Sequence, residues 1–375
     1  MLHLFKKRWL ILVLSEIAFT ISGQEKDTSY VKLLFAGDVM GHDSQIIAAY
    51  NDSTKSYSYD NCFSFVAPFI QQADYAVANL EVTLAGPPYK GYPQFSSPKA
   101  RASALKNAGF DLLLTANNHS VDRGKKGIET TVKTLDSLNI AHVGTYVDSV
   151  SRDTLYPYLT EINGVKFTFL NCTYGTNGIA VPPPAIVNLI DTVQIKADLE
   201  KAKSFNPDCI IMTIHWGIEY ERNENKTQQN LARFILENGA DAVIGSHPHV
   251  VQPVKKYYKN SDSLNFNIIA YSLGNYISNQ RKRYTDGGIM FELNLQKVNG
   301  NTSIVSYNYL PVWVYKPAKA DGSKDFAIVP GNAYLKGLKK NLTIDNESKT
   351  GMKTFYEDVT SHLKDIPENN YDFTK

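Results

Sequence analysis

A chain of 375 residues, 43% apolar and 20% charged, is long enough to bury a sizeable core and has no compositional sign of disorder. Its net charge of +2, without a basic stripe interleaved with aromatics, argues against nucleic acid as a partner. The three cysteines, Cys62, Cys172 and Cys209, form no Cys-x-x-Cys pair, which excludes a zinc ribbon and a redox motif.

Residues 1–23 read as an export signal or N-terminal anchor. Lys6, Lys7 and Arg8 precede a short apolar stretch that ends in Ser22 and Gly23, and Glu16 weakens it as a membrane span. This predicts an exported protein, periplasmic or associated with the cell envelope. In such a compartment one disulfide among the three cysteines stays open, although Cys172 and Cys209 lie in apolar runs typical of buried thiols. A main domain is expected over residues 30–315 and an extension over 316–375.

Past a polar link at residues 24–29, strand-like and helix-like segments alternate. Strands are expected at 31–36, 74–80 and 111–115, with a helix from Pro98 that Gly109 stops. A second helix over 127–138 places Ile128, Thr131, Val132, Leu135 and Leu138 on one face, and a short strand follows at 141–144. Asn163-Gly164 marks a hairpin turn between strands at 158–162 and 164–171. Residues 177–189, with prolines at 182–184, are read as an irregular loop. Then come a helix at 191–204, a strand at 208–213, a helix at 228–238 and a strand at 241–244. From residue 250 the pattern is β-rich, with runs at 253–258, 266–272, 289–295 and 303–314, before a polar, helix-like end from about 335. Alternating βα units followed by antiparallel strands predict an α/β sandwich rather than a barrel.

Five of the eight histidines, two carboxylates and an asparagine fall where these strands end. Asp38 follows the first strand in Gly37-Asp38, where a glycine would let the backbone approach an ion closely, and His42 lies four residues on. Gly-Asp after a strand also fits a helix N-cap. Glu81 ends the second strand, with Asn79 placed to orient it; a lone loop glutamate would look the same. Asn118 and His119 follow the third strand. Asn118 is a neutral ligand candidate, His119 a proton donor, and Asp122 is spaced to hold the His119 imidazole in one tautomer. His215 closes the run Ile210–Ile214, with Glu219 and Tyr220 nearby. His247-Pro248-His249 puts two imidazoles on a stiff backbone. Each segment alone has a bland structural explanation; their joint placement favours a metal site.

The order Asp, Glu, Asn-His, His, His-x-His resembles the calcineurin-like metallophosphoesterases, with two departures. The first spacing here is Asp38-x-x-x-His42, and Glu81 stands where an Asp is usual. A closer resemblance is to the CapA-type capsule (poly-γ-glutamate) synthesis proteins. It runs from about residue 31 to 280 through Gly37-Asp38-Val39-Met40, Ala78-Asn79-Leu80-Glu81, Ala116-Asn117-Asn118-His119, His215-Trp216-Gly217, Gly245-Ser246-His247-Pro248-His249 and Tyr271-Ser272-Leu273-Gly274-Asn275-Tyr276.

The resemblance implies a four-layer α/β/β/α sandwich and two divalent ions, Zn, Mn or Fe. Asp38, His42 and His249 would hold one ion, and Asn118, His215 and His247 the other, with Glu81 between them. His119 with Asp122 would serve catalysis, and Asn79, Glu219, Tyr220, Ser272 and Asn275 would flank the substrate. The function implied is metal-dependent hydrolysis of phosphoester type in capsule or envelope polysaccharide synthesis, beside membrane-bound capsule machinery. The competing reading is a non-catalytic binding or export factor for an anionic polymer.

Overall fold

Strand β1 (Thr28–Val39) shows why this chain builds layers. Side chains alternate along a strand, and here both sets are apolar: Leu33 and Phe35 enter one buried cluster, Leu34 and Ala36 another. Such a strand needs cover on both faces. The structure, a computed structural model, describes residues 28–258, 266–319, 322, 324–331 and 344–369. The export reading of residues 1–23 lies outside these residues.

After β1 come α1 (Asp43–Ala49), a small hairpin of β2 (Tyr50–Asn51) and β3 (Ser56–Tyr57), then α2 (Asp60–Phe63) and α3 (Ala67–Ile70). Next are β4 (Tyr75–Leu80), α4 (Ala100–Ala108), β5 (Leu112–Leu114), α5 (Gly124–Ser137) and β6 (Ala141–Val143). The middle of the chain supplies β7 (Thr145–Tyr146), α6 (Ser149–Leu155), β8 (Tyr158–Ile162), β9 (Val165–Thr173) and β10 (Ile186–Val187). It continues through α7 (Thr192–Ser204), β11 (Cys209–His215), α8 (Lys226–Glu237) and β12 (Ala242–Ser246). The last part holds β13 (Val254–Tyr257), β14 (Asn267–Ala270), β15 (Asn275–Ile277), β16 (Gly287–Val298), β17 (Asn301–Tyr315), β18 (Ala327–Pro330) and α9 (Asn346–His362).

Two mixed sheets result. The first has the order β18-β17-β16-β1-β4-β5-β6, with β15 also paired to β1; the second has the order β13-β14-β12-β11-β9-β8. Strands β1, β4, β5 and β6 run parallel in the first sheet, as do β9, β11, β12 and β14 in the second. One core joins the inner faces of both sheets, with Phe35 and Val77 from the first and Phe167 and Phe169 from the second. The same cluster takes in Leu199 of α7 and Ile235 of α8, which cover the second sheet. A separate cluster packs Phe63, Phe69 and Leu105 of α2, α3 and α4 on the outer face of the first sheet. These are the four layers, α/β/β/α, that the resemblance implies.

Several boundaries moved for identifiable reasons. Helix α8 starts two residues before Gln228 because Asn225 caps it, its side chain accepting from the Gln228 N–H at 2.9 Å. The loop expected at 177–189 is not wholly irregular. Once past its prolines the chain extends, and Ile186 and Val187 pair with Tyr146 and Thr145. Residues after 315 add the edge strand β18 and helix α9, whose Met352, Phe355 and Val359 join the inter-sheet core. The three cysteines are free and buried.

Candidate active site

Parallel strands bring their carboxyl ends to one rim, and that is where every metal-type residue lies. Asp38 closes β1, Glu81 follows β4, and Asn118 and His119 follow β5. From the second sheet, His215 closes β11, and His247 and His249 follow β12. Gly37 lets the chain entering β15 lie against β1: the Asp38 N–H donates to the Gly274 carbonyl at 3.0 Å, and a Cβ on Gly37 would lie 1.9 Å from that oxygen. The glycine thus makes room for the neighbouring backbone. His247 (φ 102°) and His249 (φ 57°) both adopt left-handed backbone, which costs a side-chain-bearing residue about 1–3 kcal/mol and is held only by its surroundings.

The geometry forms two groups that share one carboxylate. Ligand-type atoms of Asp38, Glu81 and His249 lie within 4.8 Å of one another, as do those of Glu81, His215 and His247. His249 Nδ1 stands 3.0 Å from Asp38 Oδ2, and its Nε2 lies 3.9 Å from Glu81 Oε1. His215 Nε2 lies 2.9 Å from Asn118 Oδ1 and 3.5 Å from Glu81 Oε1, and its Nδ1 lies 3.1 Å from Ser246 Oγ. Asn79 donates to Asp38 Oδ1 at 2.8 Å and to Glu81 Oε2 at 3.4 Å, tying the two carboxylates together.

The electrostatics of this cluster call for a cation. Glu81 is fully buried, and burial together with the Asp38 carboxylate raises its pKa well above the usual range. No Lys or Arg pairs with it among the described residues, and its Oε1 has no hydrogen-bond partner. Burial first, and neighbouring imidazoles second, hold His215 well below the ordinary value and His247 at about 3, so both rings are neutral. His247 Nδ1 is likewise buried without a partner. Orphaned carboxylate and imidazole atoms facing one another are the donor set of a divalent ion, and a native interior rarely leaves them unsatisfied otherwise.

His119 stands apart from both groups and opens onto a cavity beside them. Its Nδ1 lies 2.8 Å from Asp122 Oδ2, which also accepts the Phe95 N–H at 2.6 Å, and the Phe95 ring packs edge-on against it at 4.6 Å. The tautomer-holding role expected of Asp122 has the contact it needs.

Other expected residues sit differently. His42 lies outside both groups: it caps α1, and its Nδ1 accepts the Asn279 N–H at 3.3 Å while facing Gln45 Oε1. The wider spacing after Asp38 carries it onto the helix start, so it does not join Asp38 and His249. Ser272 and Asn275, expected at the substrate, are fully buried. The Ser272 hydroxyl accepts the Gly274 N–H, and the Asn275 amide donates to Gln280 and to the Thr285 carbonyl. Asn79 is buried and does not line the cavity, but it donates to Glu81 and Asp38, the orienting role expected of it beside Glu81. Glu219 does line the cavity, and the Tyr220 ring lies 6.3 Å from that of His249.

Two neighbours escaped the sequence reading. Tyr174 lays its ring 4.5 Å from the His247 ring and nearly parallel to that of His215, and Asn177 accepts from Asn118 Nδ2 at 3.2 Å. Both follow β9, a parallel strand ending at the same rim, so the signal that located the other residues applied to them as well.

Residues 32–280 match the family described as bacterial capsule synthesis protein PGA_cap. The capsule biosynthesis protein CapA of Bacillus anthracis is 28% identical over 287 residues, a stretch covering 73% of this chain and 66% of that protein. The PGA biosynthesis protein CapA of Bacillus subtilis (strain 168) is 27% identical over 342 residues, covering 88% and 83% respectively. Among solved structures, the chain is similar to the calcineurin-like phosphoesterase YfkN from Bacillus subtilis, with a TM-score of 0.43, 15% identity, and coverage of 90% and 99%. It is also similar to the NAD nucleotidase NadN of Haemophilus influenzae, with a TM-score of 0.48, 13% identity, and coverage of 88% and 60%.

Proposed function

The chain belongs to the bacterial capsule synthesis protein PGA_cap family, and from that premise we propose that it is a metal-dependent hydrolase acting on a phosphoester of an envelope polymer or its precursor. The observation that carries this reading is Glu81, a buried carboxylate without a cationic partner, set between His215 and His247 on one side and Asp38 and His249 on the other. Such a shared carboxylate suits two ions, with Asn118 beside His215 as a neutral ligand. Divalent ions bound there would supply Lewis-acid polarisation of phosphoryl oxygens.

The chain's own groups do the rest. Asn79 and Ser246 fix the carboxylates and the His215 ring, so little rearrangement is needed when substrate arrives. Water adds to phosphorus and gives up a proton to solvent, the bond to the leaving oxygen breaks, and that oxygen takes a proton from doubly protonated His119, which solvent then protonates again. Asp122 accepts from Nδ1–H of His119, so the other ring nitrogen delivers its proton when both ring nitrogens carry one. The charged N-terminal segment supports export, which would put the substrate in the cell envelope.

The test is metal analysis of the purified protein beside a screen of phosphoester and amide substrates, with His247→Ala as control. We expect bound divalent metal, phosphoester turnover abolished by chelation, and loss of both in the variant. A protein that takes up no divalent metal and turns over neither bond type would refute hydrolysis.

A further inference from the structure

We propose that Arg101 anchors a buried site for one small inorganic monovalent anion, such as chloride, in the layer formed by α1, α2 and α4. Arg101 belongs to neither of the carboxylate–imidazole groups at the rim, and the inference does not depend on the hydrolase reading.

Arg101, in the first turn of α4, is fully buried, and its Nε, Nη1 and Nη2 have no hydrogen-bond partner. A guanidinium left so costs more than a neutral group, because both its charge and its N–H donors lose water. Among the described residues no carboxylate pairs with it. Asp60, at the start of α2, gives its oxygens to Asn107 and Ser58 instead. What Arg101 does have is an aromatic neighbour, with its guanidinium carbon 4.2 Å from the Tyr59 ring centroid. A ring face offsets part of the charge but leaves the N–H edges of the guanidinium unmet.

Nearby polar groups repeat the pattern. The Tyr59 hydroxyl lies near the cation but outside hydrogen-bond geometry, and it has no partner. Ser97, one turn before Arg101 and packed against Gly41, has a buried hydroxyl without a partner. Gln45 of α1 spends its amide oxygen on the His42 N–H at 2.9 Å and leaves Nε2 unpartnered. Every one of these atoms can donate, and a donor-only surplus in a native interior calls for an acceptor. One guanidinium balances one negative charge. A phosphate dianion would bring a second charge into the apolar cluster of Tyr59, Cys62, Phe63 and Leu105, with no cation to offset it. A route inward exists as well: Gln45 and Cys62, a thiol on which the Arg101 charge acts, line a cavity of about 420 Å³ between α1 and α2.

Chloride is the probe. Thermal unfolding of the full chain is followed in chelator, so that halide on a bound metal ion contributes nothing. Sodium chloride is set against sodium gluconate at equal ionic strength, gluconate being too large to be enclosed beside Arg101. Arg101→Met is carried through both series, so that general salt effects cancel. We expect a saturable, chloride-specific rise in Tm of about 3 °C in the unaltered protein and none in the variant. In gluconate, Arg101→Met should melt no lower than the unaltered protein, because an apolar chain replaces a cation without a counter-ion. A chloride response equal in the two proteins would overturn the site and leave the guanidinium to water alone. If Arg101→Met fails to fold, bromide soaked into crystals of the unaltered protein decides. An anomalous peak within reach of the guanidinium nitrogens supports the site, and its absence refutes it.

Discussion

Glu81 carries the energetic tension of this molecule. Its folded-state pKa is raised, so the stability linked to it is fully present below the unfolded value of 4.5 and is lost as pH rises above that. Without metal, Glu81→Gln should therefore stabilise the protein at pH 7.5, by about 1–3 kcal/mol, and the gain should shrink toward pH 5. Urea unfolding in chelator at the two pH values checks this; an equal gain at both would mean the carboxylate carries no burial cost. The same substitution should weaken the response to added divalent metal. His119 makes the contrasting case, because it lies outside the metal groups. His119→Ala should lower phosphoester kcat by about 10²–10⁴-fold with metal content unchanged, measured by steady-state kinetics and metal analysis on the same sample.

At the scale of elements, the turn after β12 and the glycines beneath it set the precision of the site. Gly245 lies against the Trp216–Tyr271 contact, and a Cβ there would come within 2.0 Å of the Tyr271 carbonyl oxygen and 2.5 Å of Trp216 Nε1. Gly245→Ala should cost about 1–3 kcal/mol through overpacking, read as a fall in the urea midpoint. The left-handed backbone of His247 gives a sharper comparison. In chelator, His247→Gly should be more stable than His247→Ala by about 1 kcal/mol, since glycine alone adopts that φ freely. The reverse order would show that the turn relaxes once the imidazole is gone. The long β1 and the parallel run of β4 and β5 were legible in advance because apolar strands covered on both faces leave a continuous signature. The short α1, α2, α3 and α6 left no such trace, since a four- to seven-residue helix shows barely two turns of periodicity.

For the whole molecule, the rim is a joint between two sheets, so ions bound there would tie together residues of β1, β4 and β5 with residues of β11 and β12. Ligand that binds only the folded state stabilises it by about 2.7 kcal/mol at a hundredfold excess over Kd, equivalent to a rise of about 3–4 °C in Tm for a domain of this size. Calorimetric scans with chelator and with added Zn or Mn should show that rise, and it should be lost in His247→Ala.

What the sequence by itself determined is the set of chemical groups and the strand ends that carry them: Asp38, Glu81, Asn118, His215, His247 and His249 converge because parallel strands must end on one edge. The pairing of His119 with Asp122 was equally readable, being three residues apart in one turn. Only the tertiary structure decided which of these groups share an ion-sized space. It left His42 on a helix cap, turned Ser272 and Asn275 into backbone partners, and brought in Tyr174 and Asn177. Local spacing governs contacts within a turn. Contacts between turns depend on how distant segments approach, and here strand ends are drawn together by the close packing of Gly37 on Gly274, beside β1 and β15, and of Gly245 on Tyr271, beside β12 and β14, which no single segment records.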